Sequence, residues 1–485
     1  MRRRDFLGAT TMGTICLANL MRPVDTNALP APLPIPKGKT KTRVGKVYLG
    51  NPYPGWPKTV LDLDKEVQTF EAEFTKLAPA LADIEFVEGG LVYSQDQMPG
   101  VMEKFKDVDG VLAIHMALGT GGHLHKLTEL NVPVMVFTTP YAGHEWHTIA
   151  PMQRKGMKID ILPSSDFSDL EDAVRPIRAI HRMKEAKVLF LMGKEIDPAY
   201  AESIQSKFGT VIKTIYLDDL KACHDKVDES LAKEDAERWI REAEKVMEPT
   251  KEQIFGASKM YFAMKDLLEQ EGADAITINC LGMGLVQKGY EYPCLGFSRL
   301  CGIGLGGVCE ADIKSTITHL IFMYLTGKPG FISDPVVDLS NNTIIHAHCV
   351  APIMMDGIDG EQCRYDIRCH HEDGASVSLQ VRMRKGQPMT LARLINNDIM
   401  LYSTGTIIDS PDSDRGCKTK IVTQVKNAQK ILGNYSCGLH RVVFYENHYP
   451  DLRRFCGFKD IRIAMEEEED LRDLPGLEWE TYIHA

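Results

Sequence analysis

Apolar positions change their spacing along this chain, and each change marks a different kind of element. From residue 44 to about 185, short apolar runs at 46–49, 84–87, 110–114 and 132–137 alternate with stretches at 61–81, 101–105 and 170–184 in which apolar residues recur every three or four positions. Compact apolar runs predict buried strands and the longer period predicts helices, so the alternation predicts a parallel sheet covered by helices on both faces. A second alternation opens at 187–192, continues through 203–207 and 211–216, takes in charged helices around 236–246 and 253–270, and contains a clear buried strand at 273–278. From about residue 341 the texture becomes short alternating strands, 376–382, 389–396 and 400–408, which suit a barrel-like domain. The expected fold is therefore α/β, with two doubly wound Rossmann-like domains at 44–185 and 186–340 and a β-rich, barrel-like C-terminal domain at 341–485. A length of 485 residues fits that division, because single hydrophobic cores stop growing well below it.

The first residues bear on where the protein works. Arg2, Arg3 and Arg4 precede Phe6 and Leu7, and a weakly apolar stretch then runs to Met21. It is too short and polar to span a bilayer and has the make-up of an export signal, so stable membrane insertion is not expected. Arg3 and Arg4, with Phe6 and Leu7 at their offsets, resemble a twin-arginine signal over residues 1–28, which implies handling by the Tat export machinery and a periplasmic destination. Residues 29–43, with prolines at 30, 32, 34 and 36, predict an extended Pro-rich tether. The formal charge of −11 with dispersed Lys and Arg leaves no nucleic-acid footprint, and the acidic run 466–470 reads as a solvated segment. Twelve cysteines lack any CxxC pair, and losing Cys16 with the signal leaves an odd number. Buried thiols are therefore expected rather than a disulfide framework or a zinc site at Cys363, Cys369, His370 and His371.

Candidate chemistry concentrates between residues 306 and 352. Ile313, Ile317, Leu320, Ile321 and Tyr324 form the inward stripe of a helix that stops at Thr326, Gly327 and Pro329. Glu310 lies three residues before Ile313 and is expected on that stripe, with Asp312 about 200° round the wheel and facing elsewhere. An inward carboxylate needs a cation, an arginine or a hydrogen-bond cluster; the plainer alternative is a carboxylate that favours the helix dipole. Asp334 ends an apolar run before Pro335 and reads as a turn aspartate or a second ligand. His346 and His348 share one face of a predicted strand, and His440 follows downstream. Carboxylates with imidazoles suit Mn²⁺, Zn²⁺ or Fe²⁺ rather than a thiolate site.

These residues resemble the L-fucose/L-arabinose isomerase superfamily of aldose–ketose isomerases. The similarity lies in Cys309, Glu310, Ala311 and Asp312 at a helix start, in Thr326 and Gly327 followed by Asp334, in the histidine strand before Pro352, and in His440 ahead of Val443 and Phe444. It implies a divalent cation, Mn²⁺ above all, held by Glu310, Asp334, His348 and His440, with His346 in reserve. It also implies Glu310 and Asp334 as the catalytic pair, a small-molecule sugar substrate, and a homo-oligomer in which one subunit's first domain lines a neighbour's site. In that region His115, His123, His144 and His147 cluster near the turn at Gly119, Thr120, Gly121 and Gly122, and His115, His123 and His346 are the candidate substrate contacts. Cys309 stands where the family has glycine, and Arg441 where it has a second histidine. A metal-dependent lyase or hydrolase on an exported sugar derivative, or a non-catalytic carbohydrate-binding member, are the alternatives.

Overall fold

A computed structural model of the chain describes residues 39–472, so the predicted signal at 1–28 and the tether up to residue 38 lie outside the described residues. Residues 39–43, expected in the tether, are anchored. Lys39 pairs with Asp274 at 2.9 Å and Thr40 hydrogen-bonds Glu185, which leads directly into the strand Thr42–Leu49.

The chain is mixed α/β. Its first sheet is parallel throughout, in the order Ile84–Val92, Thr42–Leu49, Gly110–His115, Val134–Thr138, Ile159–Pro163. Alternate residues of its central strands enter separate cores, Tyr48, Leu112 and Ile114 on one side and Val47, Val111 and Ala113 on the other. Burial on both faces is what makes such strands read as unbroken apolar runs. A second parallel sheet runs Gly306–Cys309, Ala275–Ile278, Lys187–Leu191, Val211–Thr214. The long helix Asp169–Glu185 packs on the first sheet and against the helix Ile313–Thr326, tying the two layers together.

The strand-rich region closes on itself. Six antiparallel strands, Gln387–Ile395, Arg441–Tyr445, Phe331–Asp338, Thr343–His348, Thr419–Val425 and Ile399–Asp409, pair in that order, and the last pairs back onto the first. Phe331, Ile344, Leu391, Ile407, Ile421 and Val443, one from each strand, meet in a single core. The barrel starts at Phe331, earlier than the expected boundary at 341, because the strand after the glycine stop pairs with barrel strands rather than with the second sheet. The run expected as a barrel strand at 376–382 instead forms a small separate sheet, with Ser378–Arg382 and Arg364–Arg368 joined by Lys245–Val246. The acidic run is not uniformly solvated either. Glu466 is 1% exposed and holds Arg441 at the mouth of the barrel in a two-oxygen pair.

The helix Ile313–Thr326 lies between the second sheet and the outside of the barrel and is buried on nearly all sides. Asp312 caps its start, accepting from the Ser315 amide at 3.0 Å, and Gly327 ends it at φ 69°. Phe322 stacks on Phe444 of the barrel with ring centres 4.0 Å apart. Packing on two opposed faces explains why its apolar residues exceed a single stripe.

Candidate metal centre

Three adjacent barrel strands and one turn supply the candidate side chains. Ser333 pairs with Arg441 and Asp334 with Ala347, so extending the register sets His440 opposite Asp334 on one side and places His348 just beyond it on the other. Asp334 therefore belongs to a strand, not to a turn. Gly438, at φ 99°, brings the chain in; a Cβ there would lie 2.6 Å from the Arg393 Nε, so only glycine allows the approach.

Glu310 reaches the same point from the second sheet, but not from the helix. It sits between the strand Gly306–Cys309 and the helix, at φ 61°, and Ala311 follows at φ 54°. Two consecutive non-glycine residues in the left-handed region cost about 1–3 kcal/mol each, a strain that concentrates at functional sites. The excursion reverses the expected orientations: Glu310 turns toward the barrel, and Asp312 becomes the buried cap.

His440 is the hub. Its Nε2 lies 3.3 Å from Glu310 Oε2 and 3.2 Å from Asp334 Oδ1, and its Nδ1 is 2.8 Å from Asp312 Oδ2. Ligands about 2.2 Å from one ion and at right angles lie about 3.1 Å apart, so each carboxylate separately stands at a ligand-pair distance from Nε2. The groups of three whose donor atoms all lie within 4.8 Å of one another are, among the described residues, Cys309, Glu310 and His348, and Asp334, His348 and Cys417. Asp312 also accepts from Arg393 at 2.8 Å and from the Ser315 hydroxyl. A carboxylate bonded to Nδ1 fixes the tautomer that leaves Nε2 free for a metal. By contrast, the ionic neighbours of Glu310 and Asp334 among the described residues are histidines only. A cation would balance the charge that remains.

The electrostatics follow. Burial alone pushes the Glu310 and Asp334 carboxyls up, but His440 and His348 outweigh it and hold both below the usual carboxylate range. Burial would lower His440; bonds to Asp312, Asp334 and Glu310 raise it well above an ordinary imidazole. His348 differs from His440. The Cys349 amide donates to its Nδ1 at 2.8 Å, while Nε2 is 3.7 Å from Glu310 Oε1 and has no hydrogen-bond partner. Offering Nε2 to a cation requires the ring to give up that amide, so His440 is the better-prepared ligand.

The remaining candidates do not join this cluster. His346 is fully buried, with Nδ1 2.9 Å from the Ser333 hydroxyl and Nε2 3.0 Å from that of Thr423; burial pushes its pKa down to about 3. Both nitrogens are occupied, which corrects its candidacy as reserve ligand or substrate contact. His115 is wholly buried at the end of a first-sheet strand, bonded to Thr138 at 2.8 Å, and His123 is buried in the helix Gly121–Thr128. No hydrogen bond or ion pair among the described residues connects either of them to Glu310, Asp334 or His348. The glycine turn beside them wraps a carboxylate of its own chain: Glu145 accepts from the Gly119 and Thr120 amides at 2.9 and 3.2 Å. The eleven described cysteines are all free, nine of them buried. Asp312 and Arg393 were missed by sequence reasoning; the Asp-x-x-Ser cap signal at 312–315 was the available clue to Asp312, whereas nothing local marks Arg393.

No protein-family model and no curated protein matches this sequence.

Proposed function

We propose that this protein is a metal-dependent sugar isomerase of the fucose/arabinose type, interconverting an aldose and a ketose through an ene-diolate. The proposal includes two doubly wound, Rossmann-like domains ahead of the barrel, export by a twin-arginine signal to the periplasm, and a homo-oligomer. The observation that carries it is the meeting of Glu310 and Asp334 on His440 Nε2 at 3.3 and 3.2 Å, with Asp312 bonded behind the ring.

Glu310, Asp334 and His440 would hold the cation, with His348 at its edge. A bound divalent ion, Mn²⁺ by the resemblance, supplies Lewis-acid stabilisation of oxyanion charge. The chain's own residues move the protons. Aldose–ketose interconversion shifts one proton between C1 and C2 and another between O1 and O2. Glu310 and Asp334, held ionised below the usual range, are the two groups placed to accept them, one at carbon and one at oxygen, with roles exchanged in reverse. Asp312 keeps the His440 ring from rotating while these transfers occur.

The test is a screen of free aldoses and ketoses with Mn²⁺-loaded protein, with deuterium exchange at C2 as the readout. Turnover of a pentose, hexose or 6-deoxyhexose is expected. Silence across all three classes in protein that binds Mn²⁺ overturns the isomerase reading in favour of a lyase, a hydrolase or a carbohydrate binder.

A further inference from the structure

Glu310 points its two carboxylate oxygens in different directions. Oε2 faces His440 at 3.3 Å, in the all-nitrogen-and-oxygen setting already described; Oε1 faces His348 at 3.7 Å. On the His348 side the surroundings change character. Cys309, the residue before Glu310, has its thiol grouped with Glu310 and His348 so that the three donor atoms lie within 4.8 Å of one another. Behind it, outside that three-donor group, is a second thiol, with Cys280 Sγ 3.3 Å from Cys309 Sγ and both side chains buried, so that Cys280 reaches the position by a side-chain rotation about its own Cα.

The topology accounts for the pairing. Cys309 ends the strand Gly306–Cys309 and is in register with Ile278, the last residue of the neighbouring parallel strand Ala275–Ile278. Cys280 follows that strand by two residues, so both thiols emerge at the carboxyl edge of one sheet, where ligand sites of open parallel sheets form. His348 Nε2 has no hydrogen-bond partner although its side chain is only 5% exposed, and among the buried imidazole nitrogens so placed in the described residues it is the one grouped with a thiol and a carboxylate.

We infer that Cys280, Cys309, His348 and Glu310 form a second cation position, selective for a thiophilic ion of the zinc class and bridged by Glu310 to the carboxylate–His440 centre. Two sulfurs, one imidazole nitrogen and one carboxylate oxygen are a four-donor set suited to tetrahedral zinc and poorly suited to manganese or magnesium. Binding converts the two thiols to thiolates and releases their protons to solvent, with no change of oxidation state. His348 exchanges its contact with the Cys349 amide for the ion. This second position does not depend on the isomerase reading, because its evidence is the thiol pair and the unpartnered nitrogen rather than any reaction.

The probe is Co²⁺ added to the reduced full-length protein, since thiolate–cobalt bonds give a near-ultraviolet charge-transfer band that oxygen and nitrogen ligands do not. A band in the wild type is expected, displaced by Zn²⁺ and lost in the Cys280→Ser/Cys309→Ser double variant, which should still bind a cation at the carboxylate centre. Cys417→Ser should keep the band. If the wild type shows no band, the inference falls whether or not the double variant folds. Persistence of the band in a folded double variant, or its loss in folded Cys417→Ser, overturns the ligand assignment in favour of the alternative group Asp334, His348 and Cys417. A Cys280–Cys309 disulfide mapped by mass spectrometry in the protein as isolated also overturns it. A sulfur band without sugar turnover sinks only the isomerase proposal, and turnover without the band sinks only this one.

Discussion

The carboxyl edges of the two parallel sheets carry similar residues and treat them in opposite ways. At the first sheet Glu145 is buried beside His115, but its oxygens take the Gly119 and Thr120 amides and the Thr148 hydroxyl, and His115 bonds Thr138. Burial pushes the Glu145 carboxyl up; His115, Thr148 and the Gly119 amide prevail and hold it at about 2. The carboxylate there is satisfied from within, by amides and a hydroxyl of its own chain, and reads as architecture. At the second sheet Glu310 converges with Asp334 of the barrel, with no amide or arginine among the described residues to neutralise them, and two left-handed residues keep Glu310 in place. A buried carboxylate marks a site when its partners are too few, not simply when it has a histidine for a neighbour.

The sharpest way to break that contrast is Glu310→Gln, a nearly isosteric change. It should reduce sugar turnover by about 10²–10⁴-fold while circular dichroism stays native, because proton transfer at carbon is lost and the fold is not. Wild-type exchange of solvent deuterium into C2 would return Glu310 to a structural role. Next in size is Asp312→Asn, which leaves the cap oxygen but removes the charge behind His440; Mn²⁺ affinity by titration calorimetry should weaken by about 10–100-fold. An unchanged affinity would mean that the ring needs no such support.

Glu145→Gln tests the other edge. Amides and a hydroxyl that now serve a carboxylate would be left poorly matched, so unfolding by denaturant should show a loss of about 1–3 kcal/mol with Mn²⁺ affinity unaltered. A fall in Mn²⁺ affinity without loss of stability would make the first sheet part of the site.

The smallest effect at neutral pH comes from the neutral core histidines. Burial holds His319 at about 4 and His346 at about 3, against about 6.5 in an unfolded chain. Between those limits the unfolded chain binds more protons than the folded one, so these residues make stability fall as pH drops from about 6.5 toward 4, by at most about 1.4 kcal/mol per pH unit for each. His319→Asn keeps an acceptor for the Gly330 amide, which the imidazole Nδ1 now receives at 3.2 Å, and should flatten the decline between pH 6.5 and 5. An equally steep decline would assign the acid sensitivity to other groups.

Much of the fold was legible because period and burial are local properties. The apolar runs at 110–114 and 132–137 lie in buried parallel strands, and the strand-rich texture late in the chain belongs to a closed barrel. Boundaries failed where pairing is long-range: nothing near Phe331 says that its neighbours will be Val443 and the strand Thr343–His348. At the candidate site the residue types could be read, but orientation could not. Helical spacing put Glu310 on the helix's inward stripe and Asp312 on another face; two left-handed residues instead bring Glu310 in from a turn and make Asp312 the buried cap, and ordinary side chains give no local sign of φ above zero. His346 and His348 were indistinguishable by face; what separates them is Ser333 and Thr423, brought to His346 by two other strands.

The closed ring of strands has a mechanical consequence. Asp334 and His348 belong to neighbouring staves and His440 immediately precedes a third, and the spacing of staves is set at about 4.8 Å by backbone hydrogen bonds, so their mutual positions are nearly incompressible. Glu310 alone arrives on a separate body, the second sheet, and its distance from the staves is set by the helix wedged between them and by the contact of Phe322 with Phe444. The aperture of the centre therefore has a single adjustable jaw, and a change in how that helix seats against the barrel would widen or narrow it and, through the Asp312 cap, pull on the His440 ring as well.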